Sequence, residues 1–291
     1  MSSEINGAFR TLVEARRAIL IPGIANALAA RIVEDLEFEA VYLSGAGLTN
    51  TFLGLPDLGF MGLHELVQHT AAIRDAVRLP IIVDADTGFG NALNVRHTVR
   101  ALERAGASAI QLEDQVSPKR CGHFDGKSVI KTSEMVQKIR AAVDARHDAN
   151  LLILARTDAR ATLGFDAAIE RAAAYAEAGA DVLFVEAPES REELEAVPKR
   201  SSAPQVVNMV VGGKTPILNL TELRQARFAI VLYANVALQA AVHGMQIALR
   251  YLRDNGQLDE MGPVVSFRER QRLVRKGDYD ALEQHYAIQD E

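Results

Sequence analysis

The sequence predicts an α/β fold, a single (β/α)8 TIM barrel with a helical C-terminal extension. Three observations carry that expectation. Eight short apolar runs recur along the chain, and they alternate with longer stretches of helical spacing. Most of the runs are continuous rather than alternating, the pattern of strands buried on both faces of a parallel sheet. The eight units span roughly 235 residues, close to the usual size of such a barrel. A doubly wound open sheet is the competing arrangement, and it requires a glycine-rich phosphate loop after the first strand. Here that strand runs into Pro22-Gly23-Ile24-Ala25-Asn26-Ala27, which is not such a loop.

The first two strands are read at Ile19–Pro22 and Ala40–Ser44. A helix over Gly62–Val77 leads to the third, Pro80–Asp84, and one over Ala92–Ala105 to the fourth, Ala109–Glu113. Helices over Ser133–Ala145, Phe165–Ala178 and Glu189–Ala196 precede strands at Leu151–Arg156, Asp181–Glu186 and Gln205–Asn208. The eighth strand is Phe228–Tyr233. Gly106 and Gly179 fall where a left-handed residue ends a helix just before the next strand. From Val236 the chain reads as helix through Leu252, then again at Val265–Arg275 and Asp278–Tyr286. That exceeds what an eighth unit needs, so residues 236–291 are expected to form an assembly tail on one domain spanning 1–291.

Composition narrows the function classes. With 48% of 291 residues apolar, the chain buries enough surface to offset its conformational entropy, which excludes disorder. Acidic residues outnumber basic ones 38 to 32, so a phosphate backbone is repelled on average and nucleic acid is not an expected partner. No apolar run approaches the ~20 residues of a membrane span, so no membrane partner is expected. The N-terminus carries no signal-peptide pattern. The single cysteine, Cys121, rules out an internal disulfide and makes a reducing, cytoplasmic setting the default.

In a parallel barrel the chemistry sits at the carboxyl ends of the strands. Those ends read Tyr42 and Ser44, Asp84 and Asp86, Glu113 and Asp114, Arg156 and Asp158, Glu186, Asn208 and Tyr233. Loop residues are often polar for no special reason, yet that account is poor for the whole ring. Carboxylates after adjacent strands repel unless a cation lies among them. Oxygen ligands without nearby His or Cys favour Mg2+, or Mn2+, over zinc. The segment Lys119-Arg120-Cys121-Gly122-His123 sets the lone thiol between two cations and a histidine, surroundings that favour an accessible thiolate. A buried, inert cysteine would hardly be flanked in this way. Glycines on both sides of His123 let the loop through Phe124-Asp125-Gly126-Lys127 act as a lid.

Other patterns carry less. His64, His69, His97, His147, His243 and His285 show no paired spacing. Asp84–Gly90 superficially resembles a calcium loop but has Val95 where the closing Glu belongs. Gly212-Gly213-Lys214-Thr215 resembles the end of a phosphate loop, but Asn208 stands where its first glycine would be.

With these residues in place, the chain resembles the isocitrate lyase / phosphoenolpyruvate mutase superfamily over nearly its whole length. The resemblance is carried by Lys119-Arg120-Cys121-Gly122-His123 and Asp84-Ala85-Asp86-Thr87-Gly88-Phe89-Gly90. Leu53-Gly54-Leu55-Pro56-Asp57, Glu113-Asp114-Gln115 and Ala155-Arg156-Thr157-Asp158 support it. It implies a barrel whose last helix is exchanged between subunits, a homotetramer built as a dimer of dimers, and a 2-oxo or 2-hydroxy acid substrate. It further implies Mg2+ on Asp84 and Asp86, with Asp57 and Glu113 reaching the metal indirectly. Ser44, Gly45 and Ala46 match the loop that binds the substrate carboxylate, and Arg156, Glu186 and Asn208 match further substrate contacts. Cys121 matches the general acid of the lyases. Lys119, Gly122 and His123 stand beside it in the signature, with Gly122 and His123 near the departing carboxylate and Tyr42 a base or proton relay.

The expectation is therefore a Mg2+-dependent lyase that cleaves a 2-hydroxy di- or tricarboxylate, of 2-alkylmalate or methylisocitrate type, by a retro-aldol step. Three departures favour the smaller substrate. Phe124-Asp125-Gly126-Lys127 replaces an Arg-Pro-Asn-like continuation, Gln239 stands where an arginine is usual, and Tyr233-Ala234 replaces Tyr-Pro. The Gly212–Pro216 run looks like the branch that holds 2,3-dimethylmalate lyase-like enzymes and carboxyphosphonoenolpyruvate phosphonomutase. Phosphonomutase or other P–C chemistry is therefore the alternative, with oxaloacetate decarboxylation or hydrolysis after it.

Overall fold

A computed structural model describes residues 2–122, 126–259 and 261–288. The chain begins with α1 (Ser2–Glu14), then β1 (Ile19–Ile24), α2 (Ala27–Asp35), β2 (Val41–Leu43) and α3 (Gly45–Leu48), which runs into a π-helical turn at Thr49–Leu53. Next come α4 (Leu63–Ala76), β3 (Ile81–Asp84), α5 (Ala92–Arg104), β4 (Ala109–Glu113), α6 (Thr132–Ala145) and β5 (Leu152–Thr157). They are followed by α7 (Arg160–Leu163), α8 (Phe165–Glu177), β6 (Val182–Val185), α9 (Arg191–Lys199), β7 (Gln205–Asn208), α10 (Leu220–Gln225) and β8 (Ile230–Tyr233). The tail is α11 (Val236–Asn255), α12 (Phe267–Leu273) and α13 (Lys276–His285).

The eight strands pair in parallel in sequence order, and β8 closes on β1 with Leu20 opposite Val231 and Pro22 opposite Tyr233. The expected (β/α)8 barrel is thus the observed one, and every predicted strand is present within two residues of its expected bounds. The continuous apolar runs have a simple cause. Along each strand alternate residues face the barrel axis and the helices. Val41, Ile81, Val83, Ile110, Leu112, Ile153, Leu183 and Val231 form the outer layer beneath the helices. Ile21, Tyr42, Ile82, Leu154, Phe184 and Leu232 fill the interior.

Helix α1 joins that interior layer, because Phe9 and Val13 are buried in the same cluster. It covers the end of the barrel away from the strand carboxyl ends, and nothing in the strand-helix reading requires it. Asn91 and Asn219 open α5 and α10 with reciprocal caps to Asn94 and Glu222. Gly106 and Gly179 adopt φ of 97° and 103°, the left-handed conformation expected of them.

The tail departs from the barrel. None of the 20 residues of α11 is buried, although Val242, Met245, Leu249 and Leu252 recur at helical spacing. Helix α12 returns to α2, where Arg272 meets Asp35 at 2.6 Å and Arg275 meets Glu34 at 3.0 Å. Among the described residues no helix is long and apolar enough to cross a membrane.

Candidate active site

The carboxyl ends of the strands surround one cleft, lined by Tyr42, Ser44, Asp84, Cys121, Arg156 and Asn208 among others. Ala46, Asp57, Lys119, Gly122 and Glu186 border the same space. The tertiary structure therefore brings together residues spread from position 42 to position 208. Asp86 and Glu113 sit just below, linked to the cleft through Lys119 and Arg156. His123, together with Phe124 and Asp125, lies outside the described residues.

Register explains the convergence. Glu113 stands opposite Arg156 in the β4–β5 pair, so both chains carry their functional side chains to the same level. Alternation then points Arg156 and Asp158 the same way, two residues apart. Ser44 opens α3, where its Oγ accepts from Gly47 N at 3.1 Å. That cap holds the first turn of α3 against the aspartates. Gly45 N donates to Asp84 Oδ2 at 3.3 Å, and a Cβ on Gly45 would lie 3.2 Å from both Asp84 Oδ2 and Asp86 Oδ1.

Two clusters of charge result. In the first, Lys119 Nζ lies 2.6 Å from Asp57 Oδ1 and 2.9 Å from Asp86 Oδ1. Burial alone would lower the lysine's pKa, but Asp86, Asp84, Glu113 and Asp57 together raise it, so the ammonium stays charged. Asp86 has φ of 47°, and burial, with Asp84 and Asp57 adding to it against Lys119, pushes its carboxyl up to about 7. Asp84 accepts from Gln111 Nε2 at 3.1 Å. In the second cluster Arg156 grips Asp158 through two bonds of 2.9 and 3.0 Å. It also reaches Glu113 at 3.4 Å and Glu186 at 3.6 Å. Burial is the main reason that the Glu113 carboxyl is raised well above the usual range, with Arg156 opposing it.

This geometry corrects one step of the sequence argument. Acidic residues at neighbouring strand ends do need cations, and here Lys119 and Arg156 supply them. Among the described residues no three His, Cys, Asp or Glu side chains converge on one point as a metal cage. Asp57, paired with Lys119, and Glu113, paired with Arg156, are the two that the resemblance puts only indirectly on a metal. Asp84 and Asp86 offer hard carboxylate oxygens, with Asp86 Oδ1 also paired with Lys119. Glu113 Oε1 is buried without a hydrogen bond. Mg2+ keeps several waters and needs only one or two carboxylates, so this donor set fits it.

Tyr42 lies against the same aspartate. Its phenol hydrogen-bonds to Asp84, and burial, then Asp84, raise its pKa well above the ordinary value. The protonated phenol is thus the form favoured beside Asp84. Gly122 packs so closely on Arg156 and Glu186 that a Cβ would collide with both. Of the substrate-discriminating positions, Ala234 lines the cleft, whereas Gln239 is exposed on α11.

Sequence reasoning left several contributors unassigned. Lys127 Nζ donates to Asp158 Oδ1 at 2.8 Å and also to the Gly122 carbonyl. Phe184 lies under the Arg156 guanidinium, 5.4 Å from ring centre to Cζ. Asp158 was legible from strand alternation, since it shares a face with Arg156. Lys127 had no such signal. Asn208 Oδ1 and Asn235 Oδ1 are buried without partners at the rim, acceptors that a bound ligand would satisfy.

A sequence model of the family described as phosphoenolpyruvate phosphomutase matches residues 9–253. The chain is 47% identical over 272 residues to a 2-methylisocitrate lyase of Aeropyrum pernix, covering 93% of this chain and 87% of that protein. It is 41% identical over 279 residues to 2,3-dimethylmalate lyase of Eubacterium barkeri, covering 96% of each. A solved phosphonopyruvate hydrolase complex with oxalate and Mg2+ superimposes with a TM-score of 0.87 at 31% identity, covering 97% of this chain and 99% of that one.

Proposed function

The chain belongs to the phosphoenolpyruvate mutase / isocitrate lyase superfamily, and we propose that it is a Mg2+-dependent carbon–carbon lyase for a 2-hydroxy acid of the 2-alkylmalate or methylisocitrate type. The observation that carries this reading is the shared cleft, which Cys121 lines together with Ser44, Ala46, Asp84 and Arg156. Relatives named for both substrates support it.

Asp84 and Asp86 would hold the metal, with Asp57 and Glu113 reaching it through water. When bound, Mg2+ supplies positive charge for the substrate carboxylate and its neighbouring oxygen. The need for that charge follows from a count of formal charges. Among the described residues, Asp57, Asp84, Asp86, Glu113, Asp158 and Glu186 stand with Lys119, Arg120, Lys127 and Arg156 around the cleft, so by formal count acidic groups outnumber basic ones six to four. A solved relative that contains oxalate and Mg2+ supports the same metal.

Ser44, Gly45 and Ala46 at the start of α3 would receive the substrate carboxylate, and Ser44 and Ala46 line the cleft. Arg156 faces the other end, where the departing fragment carries the electron pair of the broken C–C bond; its charge and that of its carboxylate need fixed donors. Asp158 holds the guanidinium in plane, so little reorganisation is needed when that charge appears. Gly122 lets the loop approach Arg156 and Glu186 closely. As the C–C bond breaks, the 2-hydroxyl proton would pass by way of Tyr42 to the buried carboxylates, and Cys121 would give its own proton to the departing carbon as general acid, leaving a thiolate. Lys119 positions Asp57 and Asp86, and His123 belongs with the same loop.

The assembly is part of the same reading. The exposed apolar stripe of α11 and the exposed Leu28, Ile32 and Leu36 along α2 are unpartnered in one chain. A second copy that exchanges α11 would cover both stripes and complete the eighth barrel unit, and pairs of such dimers give a homotetramer.

A substrate panel tests the function. With Mg2+ present, pyruvate release is expected from 2,3-dimethylmalate or methylisocitrate. Turnover of phosphonopyruvate or of oxaloacetate alone, with neither 2-hydroxy acid cleaved, would overturn the lyase reading.

A further inference from the structure

Gln115 is buried and has no part in the chemistry above. Its Nε2 donates to Arg120 O at 2.8 Å, and its Oε1 accepts from Arg120 N at 2.9 Å. Those two backbone groups belong to different peptide bonds. Arg120 N lies in the bond from Lys119, and Arg120 O lies in the bond to Cys121. One carboxamide thus fixes the main chain on both sides of Arg120, as a neighbouring strand would.

Gln115 is itself anchored from behind. It pairs with Val129 in an antiparallel bridge, and Val116 N donates to Ser128 O at 2.9 Å. The intervening turn, Val116 to Pro118, is exposed and has little else to hold it. On the far side, Lys119 runs into the buried Asp57–Asp86 pair while Cys121 faces the cleft. With Lys119 held by that ion pair, rotation of either peptide beside Arg120 changes where the chain presents Cys121.

We propose that Gln115 is a positioning residue that sets where Cys121 presents its thiol. The inference rests on the reading of Cys121 as proton donor, but its geometry does not. A side chain is suited to this task because, among the described residues, no strand pairs with Arg120 to supply backbone partners. Its two hydrogen bonds match the donor and acceptor of the main chain one for one.

The test uses Gln115→Met, which keeps size and removes both bonds, and Gln115→Glu, which keeps the acceptor and sets a carboxylate against Arg120 O. In the full-length enzyme with Mg2+, kcat is expected to fall about 10-fold or more in each, since small misplacements of a reacting group are costly. KM is expected to stay within about threefold, because the carboxylate-binding end is untouched. The rate of Cys121 alkylation by iodoacetamide, measured without substrate, is expected to change by about threefold or more. A merely structural residue would lower the thermal midpoint and leave the alkylation rate of the folded protein unchanged, and that result overturns the proposal. If Gln115→Met does not fold, Gln115→Glu carries the same readouts. If Cys121→Ser proves fully active, the proton-donor reading fails, while the alkylation rates still decide whether Gln115 places the thiol.

Discussion

Lys119 and Asp57 form a buried ion pair at 2.6 Å, and they come from loops 62 residues apart. The pair joins a loop lysine of the cysteine signature to an aspartate that sequence reasoning placed near the metal. Through its second contact to Asp86, Lys119 links the position of the thiol loop to the Asp84–Asp86 end of the cleft.

Lys119→Met should therefore destabilise the metal-free protein by about 3 kcal/mol, the lower end of the cost of stranding a buried charge. Proton uptake by Asp86 offsets the rest. Excess Mg2+ should restore part of the loss, as read from denaturant unfolding with and without the ion. Equal stability of variant and parent without Mg2+ would show that the ammonium does not hold this place.

Burial pushes the Asp86 carboxyl up to about 7, so the folded state binds a proton that the unfolded chain has already released. A raised acid pKa makes the native state the better proton binder between about pH 4 and about pH 7, so metal-free stability falls as pH rises through that window. Mg2+ competes with that proton. Its apparent affinity should climb with pH and level off above about 7, as followed by titration calorimetry. An affinity independent of pH across this range would contradict the assignment.

Cys121→Ser should lower kcat by about 100-fold or more, the usual share of a general acid. Binding of oxalate with Mg2+, read by thermal shift, should hardly change. Near-parental turnover on the substrate found by the panel would remove the cysteine from the proton path.

Gly122→Ala places a methyl against the side chains of Arg156 and Glu186, which must shift to admit it. The expected outcome is loss of kcat by about 100-fold with a folded barrel, because displacement of a catalytic loop by an ångström is enough. Circular dichroism and steady-state kinetics together check it.

Phe9→Ala acts at the opposite end. Phe9 of α1 is fully buried against the barrel interior, so its removal should cost about 3–5 kcal/mol. Specific activity per folded molecule should be unchanged. A fall in kcat at full occupancy of the folded state would mean that α1 influences the site.

Much of this architecture was legible from local patterns. Apolar runs such as Pro80–Asp84 and Leu151–Arg156 read as strands because both faces are buried, and that burial leaves its mark residue by residue. Polar residues at the ends of those runs marked the cleft for the same reason, since a parallel barrel puts every strand end on one rim. Helix α1 escaped notice because an amphipathic N-terminal helix does not announce which surface it will cover. The partner of each charge was equally hidden. A carboxylate reads the same in sequence whether a metal, Lys119 or Arg156 neutralises it.

The chain by itself thus determined the closed parallel sheet, the ring of functional residues at its rim and the family to which the protein belongs. These follow from short-range alternation and from motifs whose residues are adjacent. Tertiary structure decided how the charges pair and which are free to bind a metal. It also decided that Tyr42 is buried against Asp84 and that Gln115 holds the peptides on both sides of Arg120. Those outcomes depend on distance and burial between segments far apart in the chain, and only closure of the barrel, with β8 against β1, brings those segments within reach of one another.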